Sequence, residues 1–281
     1  MFEHVLVVGA GQMGGGIAQV MAASGRRVSL YDAAPGAVER GLETMRGSLT
    51  KLAEKGGSDP DEVLARVEPV DDLVPAELMV EAVVENAAVK EDVFRRADEM
   101  LPPEAVLASN TSSIPISSLA AATSRPDRVI GMHFFNPVHL MRLVEVVRAL
   151  QTSDATLAVA FAAARRMGKE PVQVNESPGF VTTRVNALIG NEAFYMLQEG
   201  VASAADIDQA LKLGLNHPMG PFELVDLVGL DTRLKILRFL HQTLGEKYRP
   251  CPLLEKYVQA GRLGRKAGQG VYDYRSPKTG A

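Results

Sequence analysis

The sequence predicts an α/β fold in which a doubly wound, mostly parallel sheet is followed by an all-helical C-terminal domain. Three observations lead to this prediction. Short apolar runs alternate with amphipathic segments up to about residue 178, a glycine-rich turn follows the first run, and only helical periodicity is found beyond Ser177-Pro178-Gly179. We therefore expect two domains, at residues 1–178 and 179–281.

The expected strands are short, apolar and rich in β-branched residues, which is typical of strands buried on both faces. His4 to Val8 is the first, and Arg27 to Tyr31 is the second. The remaining strand-like runs are Leu78 to Val84, Ala105 to Ala108, Val129 to Phe135, Leu143 to Val147 and Pro171 to Val174.

Helical periodicity separates these runs. Apolar residues at spacings of three and four follow Met13, and Gly25 can end that helix. Pro35 suits the start of the next helix, whose apolar face spans residues 38–52. Further helices are expected at residues 89–100 and 155–167, and beyond the boundary at 185–197, 206–213, 224–244 and 253–260.

The composition of the 281-residue chain argues against several classes of protein. Hydrophobic residues make up 46% and charged residues 23%, which is typical of a globular protein. A net charge of -4 provides no attraction to nucleic acid, and the single Cys251 excludes an internal disulfide or a cysteine-based zinc cluster. No apolar run is long enough for a membrane helix, and the strand-like run that starts within five residues of Met1, with no basic segment before it, argues against a signal peptide. We expect a cytoplasmic protein with no metal, nucleic-acid or membrane partner.

The segment Gly9-Ala10-Gly11-Gln12-Met13-Gly14 fits the G-x-G-x-x-G pattern between a strand and a helix. Gly9 permits a tight turn, Gly11 lets the backbone approach a pyrophosphate, and Gly14 lets the helix pack on the strand. The N–H groups at the helix N-terminus would then bind the phosphates. This pattern predicts a Rossmann-like dinucleotide site.

Asp32 ends the second strand, where a carboxylate would accept hydrogen bonds from the adenine ribose. It would repel a 2′-phosphate, and no arginine follows it in residues 33–35, so the sequence favours NAD over NADP. The alternative is an ordinary loop aspartate after a glycine turn.

His133 and Glu145 are candidates for proton transfer. His133 follows the apolar run Val129 to Met132, which places it near a strand end, and Glu145 interrupts the apolar run Leu143 to Val147. A buried carboxylate beside the imidazole would orient it and stabilise its charged form. Such a pair beside a nicotinamide could act as the general base for oxidation of an alcohol. From spacing alone, the alternative to a catalytic pair remains open, namely a strand-end histidine whose hydrogen bonds are met within the fold and a glutamate that faces solvent.

The polar run Ser109-Asn110-Thr111-Ser112-Ser113 directly follows a strand. Its hydroxyl and amide groups could bind a substrate carbonyl or a cofactor. A helix cap or a turn is the alternative, because these residue types commonly form both.

Several motifs together resemble the L-3-hydroxyacyl-CoA dehydrogenase family, in particular its bacterial members that act on 3-hydroxybutyryl-CoA. The resemblance runs nearly end to end. Its motifs are the glycine turn, the 109–113 run, His133-Phe134-Phe135-Asn136-Pro137 with Leu143 to Val146, Pro178-Gly179-Phe180, His217-Pro218-Met219-Gly220-Pro221 and Gly264 to Tyr272.

The resemblance implies a role for each matching residue. His133 would be the catalytic base paired with Glu145, and Ser112 would bind the substrate beside the nicotinamide. Contacts to NAD are implied for Gly9, Gly11, Gln12, Met13, Gly14, Asp32, Glu85, Lys90, Asn110, Ser112 and Lys266. Contacts to the acyl-CoA substrate are implied for Ser48, Lys55 and Ser112.

The resemblance further implies a homodimer in which the second domain supplies the dimer interface and a wall of the acyl pocket. It places the reaction in fatty acid and butanoate metabolism. Thr183 stands where the family usually has Asn, and we expect it to take part in catalysis there. The alternatives are a sugar-acid dehydrogenase of the L-gulonate type with the same fold, and a non-catalytic crystallin-like relative.

Overall fold

The structure, a computed structural model, describes residues 2–275. The chain forms two compact units, and it passes from the first to the second between Phe180 and Val181. Within the described range, no helix is both long and apolar enough to cross a membrane. The same residues contain no group of three or more His, Cys, Asp or Glu side chains that could hold a metal ion.

The first unit contains an eight-stranded sheet with the strand order β3-β2-β1-β4-β5-β6-β7-β8. Its strands are β1 (His4–Val8), β2 (Arg27–Tyr31), β3 (Val67–Pro69), β4 (Leu78–Glu81), β5 (Val106–Ser109), β6 (Val129–Phe134), β7 (Leu143–Arg148) and β8 (Glu170–Asn175). The order reverses between β1 and β4, which creates a crevice at the carboxyl ends of these two strands.

All neighbouring strands are parallel except β6 and β7, which are antiparallel. Residues 135–142 connect these two strands. This connection is too short for a parallel crossover, which needs a dozen or more residues. The prediction of a mostly parallel, Rossmann-like sheet is confirmed.

Six helices of the first unit cover the two faces of the sheet. They are α1 (Gln12–Ala23), α2 (Ala37–Ala53), α3 (Pro60–Leu64), α4 (Ala87–Met100), α5 (Ile116–Ala121) and α6 (Asp154–Arg166). Apolar residues of α1, α2 and α6 pack with one set of strand side chains, and those of α4 and α5 pack with the other set. This burial on both faces explains why the strands lack polar alternation.

Three short elements, α3, β3 and α5, were not predicted from the sequence. They span only five, three and six residues, so they carry too few apolar repeats for a periodic signal. Two predicted bounds were also wrong. The run predicted as a strand to Val84 leaves the sheet after Glu81, and α2 begins at Ala37 rather than at Pro35.

The second unit is helical, as predicted. Its helices are α7 (Thr182–Glu199), α8 (Ala204–Gly214), α9 (Pro221–Val228), α10 (Leu230–Leu244) and α11 (Pro252–Gln259). The helical signal predicted over residues 224–244, which contains a glycine at 229, belongs to two helices that meet at Gly229, where φ is 103°. The core of this unit includes an edge-to-face contact between Phe194 and Phe222, whose ring centroids are 5.2 Å apart.

A buried aspartate ties the last described segment to this helical unit. The Asp226 carboxylate accepts hydrogen bonds from the N–H groups of Val271 (2.8 Å) and Tyr272 (2.9 Å) and from the Tyr274 hydroxyl (2.9 Å). The segment that carries Lys266 is thereby anchored to α9.

Candidate active site

The glycine turn after β1 has the geometry that its sequence predicts. Gly9 adopts a φ of 106°, and a Cβ there would lie 2.6 Å from the carbonyl oxygen of Ala82. A Cβ on Gly14 would collide with the carbonyl oxygen of Gly9. The turn and the packing of α1 on β1 therefore require glycine at both positions.

Gly11, the middle glycine of the motif, has no neighbouring atoms on the side where a Cβ would point. A Cβ at Gly11 would meet no atom within 4 Å, and Gly11 is the N-cap of α1 with no side-chain capping hydrogen bond. Gln12 follows at the helix start and is exposed, whereas Met13 is half-buried. The backbone N–H groups at this helix N-terminus can therefore receive an anion.

A cleft of about 690 Å³ opens in front of this turn. Its lining includes Gly11, Asp32, Ser48, Asn136 and His139. The volume lies within the range of small-molecule sites.

Asp32 is half-buried at the end of β2. Its carboxylate accepts hydrogen bonds from the N–H groups of Ala10 (2.7 Å) and Ala34 (2.9 Å). These bonds hold the carboxylate against the glycine turn, in the position that a ribose-binding acid requires.

A buried ion pair lies behind the carboxyl ends of β4 and β5. Lys90 on α4 is 1% exposed, and its ammonium lies 2.6 Å from the carboxylate of Glu81, which is fully buried. Glu81 also accepts hydrogen bonds from the Ser109 hydroxyl (2.6 Å) and the Val83 N–H (2.7 Å). This network links α4 to two neighbouring strand ends.

Glu85 connects the ion pair to the polar run after β5. Its Oε1 accepts hydrogen bonds from the Thr111 hydroxyl (2.6 Å), the Ser113 hydroxyl (2.9 Å) and the Ser112 N–H (3.1 Å), and its Oε2 lies 3.4 Å from the Lys90 ammonium. Burial tends to raise the pKa of the Glu85 carboxyl, but Lys90 and the donors from Thr111 and Ser113 outweigh it and hold the pKa below its usual value. Glu85 therefore remains ionised at neutral pH and fixes the turn that carries Ser112.

His133 and Glu145 lie directly opposite each other on the antiparallel strands β6 and β7. Their Nδ1 and Oε2 atoms are 2.7 Å apart, and the two residues are 7% and 1% exposed. A carboxylate can only accept, so Nδ1–H donates to Glu145 and Nε2 carries the lone pair of the neutral ring. The pair has the geometry of an oriented general base.

Two aromatic rings lie beside the imidazole, and an amide group binds the backbone of the residue that follows His133. The rings of Phe135 and Phe180 lie 4.6 Å and 5.6 Å from the His133 ring. The Asn110 side-chain oxygen accepts a hydrogen bond of 2.8 Å from the N–H of Phe134, next to His133. Asn110 thereby joins the end of β5 to the end of β6, and the polar run and the histidine lie at the same edge of the sheet.

Of the two residues expected to meet coenzyme A, Ser48 lies on α2 and Lys55 lies just beyond its end. The Ser48 hydroxyl is buried in the cleft wall without a hydrogen-bond partner among the described residues. Lys55 follows the end of α2 and is exposed. An orphaned buried hydroxyl is expected where a polar ligand atom completes the site.

Two further expected site residues belong to the second unit. Thr183 lies in the first turn of α7 and is half-buried. Lys266 forms an ion pair with Asp231, and its ammonium lies 2.6 Å from the carboxylate.

Glu81 was not predicted as a site residue from the sequence. The signal was present, because Glu81 interrupts the apolar run Leu78 to Val84 as Glu145 interrupts its own run. A carboxylate inside a buried strand needs a partner, and Lys90 nine residues later supplies it.

Together, the glycine turn, the open helix N-terminus and the His–Glu pair define a dinucleotide-dependent oxidoreductase. Two family models match the chain, namely the 3-hydroxyacyl-CoA dehydrogenase NAD binding domain over residues 4–177 and the C-terminal domain of the same family over residues 179–274. The chain belongs to the 3-hydroxyacyl-CoA dehydrogenase family and is an NAD-dependent enzyme of that family.

Individual relatives are similar over almost their whole length. The "Probable 3-hydroxybutyryl-CoA dehydrogenase" of Bacillus subtilis is 50% identical over 279 residues, which is 97% of each chain. The 3-hydroxybutyryl-CoA dehydrogenase of Bradyrhizobium diazoefficiens is 46% identical and covers 99% of this chain and 97% of its own. The solved structure of (S)-3-hydroxybutyryl-CoA dehydrogenase from Ralstonia eutropha is 44% identical with a TM-score of 0.95, over 98% of this chain and all of that one.

The site fits the cofactor of this family. The space beyond Gly11 and the uncapped start of α1 suit a pyrophosphate, and the Asp32 carboxylate suits the hydroxyls of an unphosphorylated ribose.

Proposed function

We propose that the enzyme oxidises L-3-hydroxybutyryl-CoA to the 3-oxoacyl-CoA, or catalyses the reverse reduction. The paired His133 and Glu145 at the edge of a dinucleotide-binding sheet carry this proposal. The names of relatives that match over nearly the whole chain support the short-chain substrate.

In the oxidation, Nε2 of His133 takes the proton of the C3 hydroxyl. Glu145 accepts from Nδ1–H, orients the ring and stabilises the imidazolium that forms. The glycine turn and Asp32 would hold NAD, which would supply the acceptor for the hydride from C3. In the reduction, the imidazolium returns the proton to the C3 oxygen.

The polar turn after β5 would position both reactants. Ser112 donates a hydrogen bond to the substrate oxygen, and Asn110 lies beside the cofactor. Glu85 and Lys90 would act on the cofactor through this turn, because Lys90 is buried beside Glu85 and Glu85 accepts hydrogen bonds from the hydroxyl or N–H groups of Thr111, Ser112 and Ser113. Lys266 would approach the cofactor from the second unit.

Ser48 and Lys55 would bind the coenzyme A part of the substrate. The unpartnered Ser48 hydroxyl supports this role, because burial without a hydrogen bond is costly unless a ligand supplies one. The second unit would supply a wall of the acyl pocket and the interface of a homodimer. Several large apolar side chains of the second unit are exposed in the single chain, among them Val185, Leu213 and Leu227. Sedimentation at micromolar concentration tests the dimer, and a stable monomer would contradict it.

A steady-state assay of L-3-hydroxyacyl-CoA esters from four to sixteen carbons, each with NAD, tests the proposed reaction. We expect the highest kcat/KM for the four-carbon ester. A clear preference for long chains would contradict the proposed substrate, and no NADH formation with any ester would contradict the proposed reaction.

Cofactor choice depends on Asp32. We expect kcat/KM with NAD to exceed that with NADP by about tenfold or more, because a close like-charge contact costs several kcal/mol. Asp32→Ala should narrow this gap, whereas Glu39→Ala, which removes an exposed carboxylate from the first turn of α2, should not. Equal turnover with NADP in the unmodified enzyme would overturn the assignment.

Thr183 would donate one hydrogen bond in the place where the family usually has an amide. Thr183→Val keeps the shape and removes the donor, so kcat/KM should fall about 2- to 13-fold, as expected for a bond worth about 0.5–1.5 kcal/mol. NAD affinity should change little. A lower Tm with unchanged kcat/KM would instead make Thr183 a helix-start residue without a catalytic role.

A further inference from the structure

A cationic side chain lines the same cleft as Asp32. Arg40, on α2, borders this cleft together with Asp32, Ala34 and Ala37. It lies outside the short segment after β2 in which the sequence offers no arginine, and the turn between β2 and α2 brings it back to this strand end. That turn is closed by a hydrogen bond of 3.1 Å from the Ala37 N–H to the Ala34 carbonyl. The structure thus places an acid and a cation in the lining of one cleft.

The Arg40 guanidinium rests against this turn through weak contacts. Both Nη atoms lie 3.4 Å from the carbonyl oxygen of Pro35, which is long for a hydrogen bond. A Cβ on Gly36 would lie 2.8 Å from Nη1, so glycine at this position leaves room for the guanidinium. Side chains of a helix tilt toward its N-terminus, which explains why Arg40 reaches back to residues that precede α2.

Arg40 carries a positive charge that no carboxylate of the described residues neutralises. Arg46, on the same helix, lies 2.7 Å from the Asp61 carboxylate. Arg40 forms no such ion pair within residues 2–275, and the carbonyl of Pro35 is the acceptor of both its contacts. Since these contacts are weak and the side chain is exposed, the guanidinium can turn toward an anion in the cleft at little cost.

A phosphate on the adenine ribose is the anion that this arrangement fits. The Asp32 carboxylate accepts from the Ala34 N–H at 2.9 Å, and the next carbonyl along the chain, that of Pro35, contacts the guanidinium. Only this short segment separates the acid from the cation. In Rossmann folds the acid binds the 2′-hydroxyl, and an arginine nearby accommodates a 2′-phosphate. A guanidinium also binds phosphate oxygens through two parallel hydrogen bonds.

We infer that Arg40 is a specificity-determining residue for the cofactor, whose guanidinium can bind the 2′-phosphate of NADP(H) and offsets part of the repulsion from Asp32. The choice between the two cofactors is then set by the balance of one acid and one cation, and not by Asp32 alone. This inference rests on the proposed contact of Asp32 with the adenine ribose, but it needs no assumption about the acyl-CoA substrate.

Fluorescence titrations with NADH and with NADPH, which differ only in the 2′-phosphate, test the inference without a substrate. Asp32→Ala removes the repulsion and should strengthen NADPH binding. In that background, Arg40→Ala should raise Kd for NADPH about 3- to 10-fold, as expected for one charge-assisted contact at an exposed site, and leave Kd for NADH within about a factor of two. Added salt should weaken NADPH binding more steeply in Asp32→Ala than in Asp32→Ala/Arg40→Ala.

Arg46→Ala in the same background is the matched control. It removes the same charge from α2, but Arg46 pairs with Asp61 and does not line the cleft, so both Kd values should stay unchanged. Equal NADPH affinity with and without Arg40 would overturn the inference and make Arg40 a solvated surface residue, as would an equal loss for NADH and NADPH.

A failure at Asp32 has a different signature. If Asp32→Ala leaves the ratio of the NADH and NADPH affinities unchanged, the proposed role of Asp32 fails. Arg40→Ala in the otherwise unmodified enzyme then tests Arg40 by the same ratio, which should shift further toward NADH. An unchanged ratio in that variant would overturn the role of Arg40 as well.

Discussion

Replacement of His133 by glutamine is expected to lower kcat by about 10²- to 10⁴-fold, the usual contribution of general acid–base catalysis. Glutamine retains a polar side chain of similar size but cannot take the hydroxyl proton. NAD affinity should stay close to that of the unmodified enzyme, because no NAD-binding role is assigned to His133. Steady-state rates with the CoA ester and a fluorescence titration with NADH measure the two quantities on one variant.

The chain offers a matched control for this change. His241 also pairs with a glutamate, since its Nε2 lies 3.0 Å from the Glu246 carboxylate, but this pair lies at the surface of the second unit. His241→Gln should leave kcat within about a factor of two, as expected for an exposed pair worth less than about 1 kcal/mol. Near-normal turnover in His133→Gln would remove the proposed mechanism.

Replacement of Lys90 by methionine is expected to reduce the free energy of unfolding by about 3–5 kcal/mol, because it leaves the Glu81 carboxylate buried without its counter-charge. Methionine fills a similar space, so the lost charge and its hydrogen bonds account for the effect. Urea unfolding followed by circular dichroism measures this change.

Arg95→Met on the same helix is the control for a surface ion pair. Arg95 pairs with Asp92 at 2.9 Å, and both side chains are more than half exposed. The expected loss is below about 1 kcal/mol. The double variant Glu81→Gln/Lys90→Met should be more stable than Lys90→Met alone, because it no longer buries an unpaired charge. Equal losses of unfolding free energy in Lys90→Met and Arg95→Met would show that the buried ion pair stabilises the fold no more than the surface pair does.

The glycine turn and the dinucleotide-binding fold could be predicted from the sequence because their determinants are local in the chain. A glycine turn must follow a strand and precede a helix, and Asp32 ends the next strand, so their spacing alone places them at one crevice. Glycine is required at positions 9 and 14 because a Cβ there would collide with backbone atoms, and this holds whatever the surrounding side chains are.

The spacing of His133 and Glu145 could suggest their pairing but could not establish it. Their contact depends on β6 and β7 being antiparallel and on a register that places the two residues opposite each other. A shift of one residue would put Glu145 on the other face of the sheet. The run that contains Glu145 was expected to form a strand, but periodicity does not state its direction or its partner.

The chain by itself determined the sheet and helix composition, the glycine turn and the acid at the end of β2, because each depends on short-range sterics and on apolar periodicity. Only the tertiary structure decided that Glu81, Lys90 and Ser109 form one buried network and that Arg166 and Lys169 share a cavity with His139. Ser109 lies 28 residues from Glu81, and His139 lies on a different segment from Arg166 and Lys169, so sequence spacing does not bring them together. Burial strengthens an electrostatic contact between them only after the strands and helices that carry them have packed.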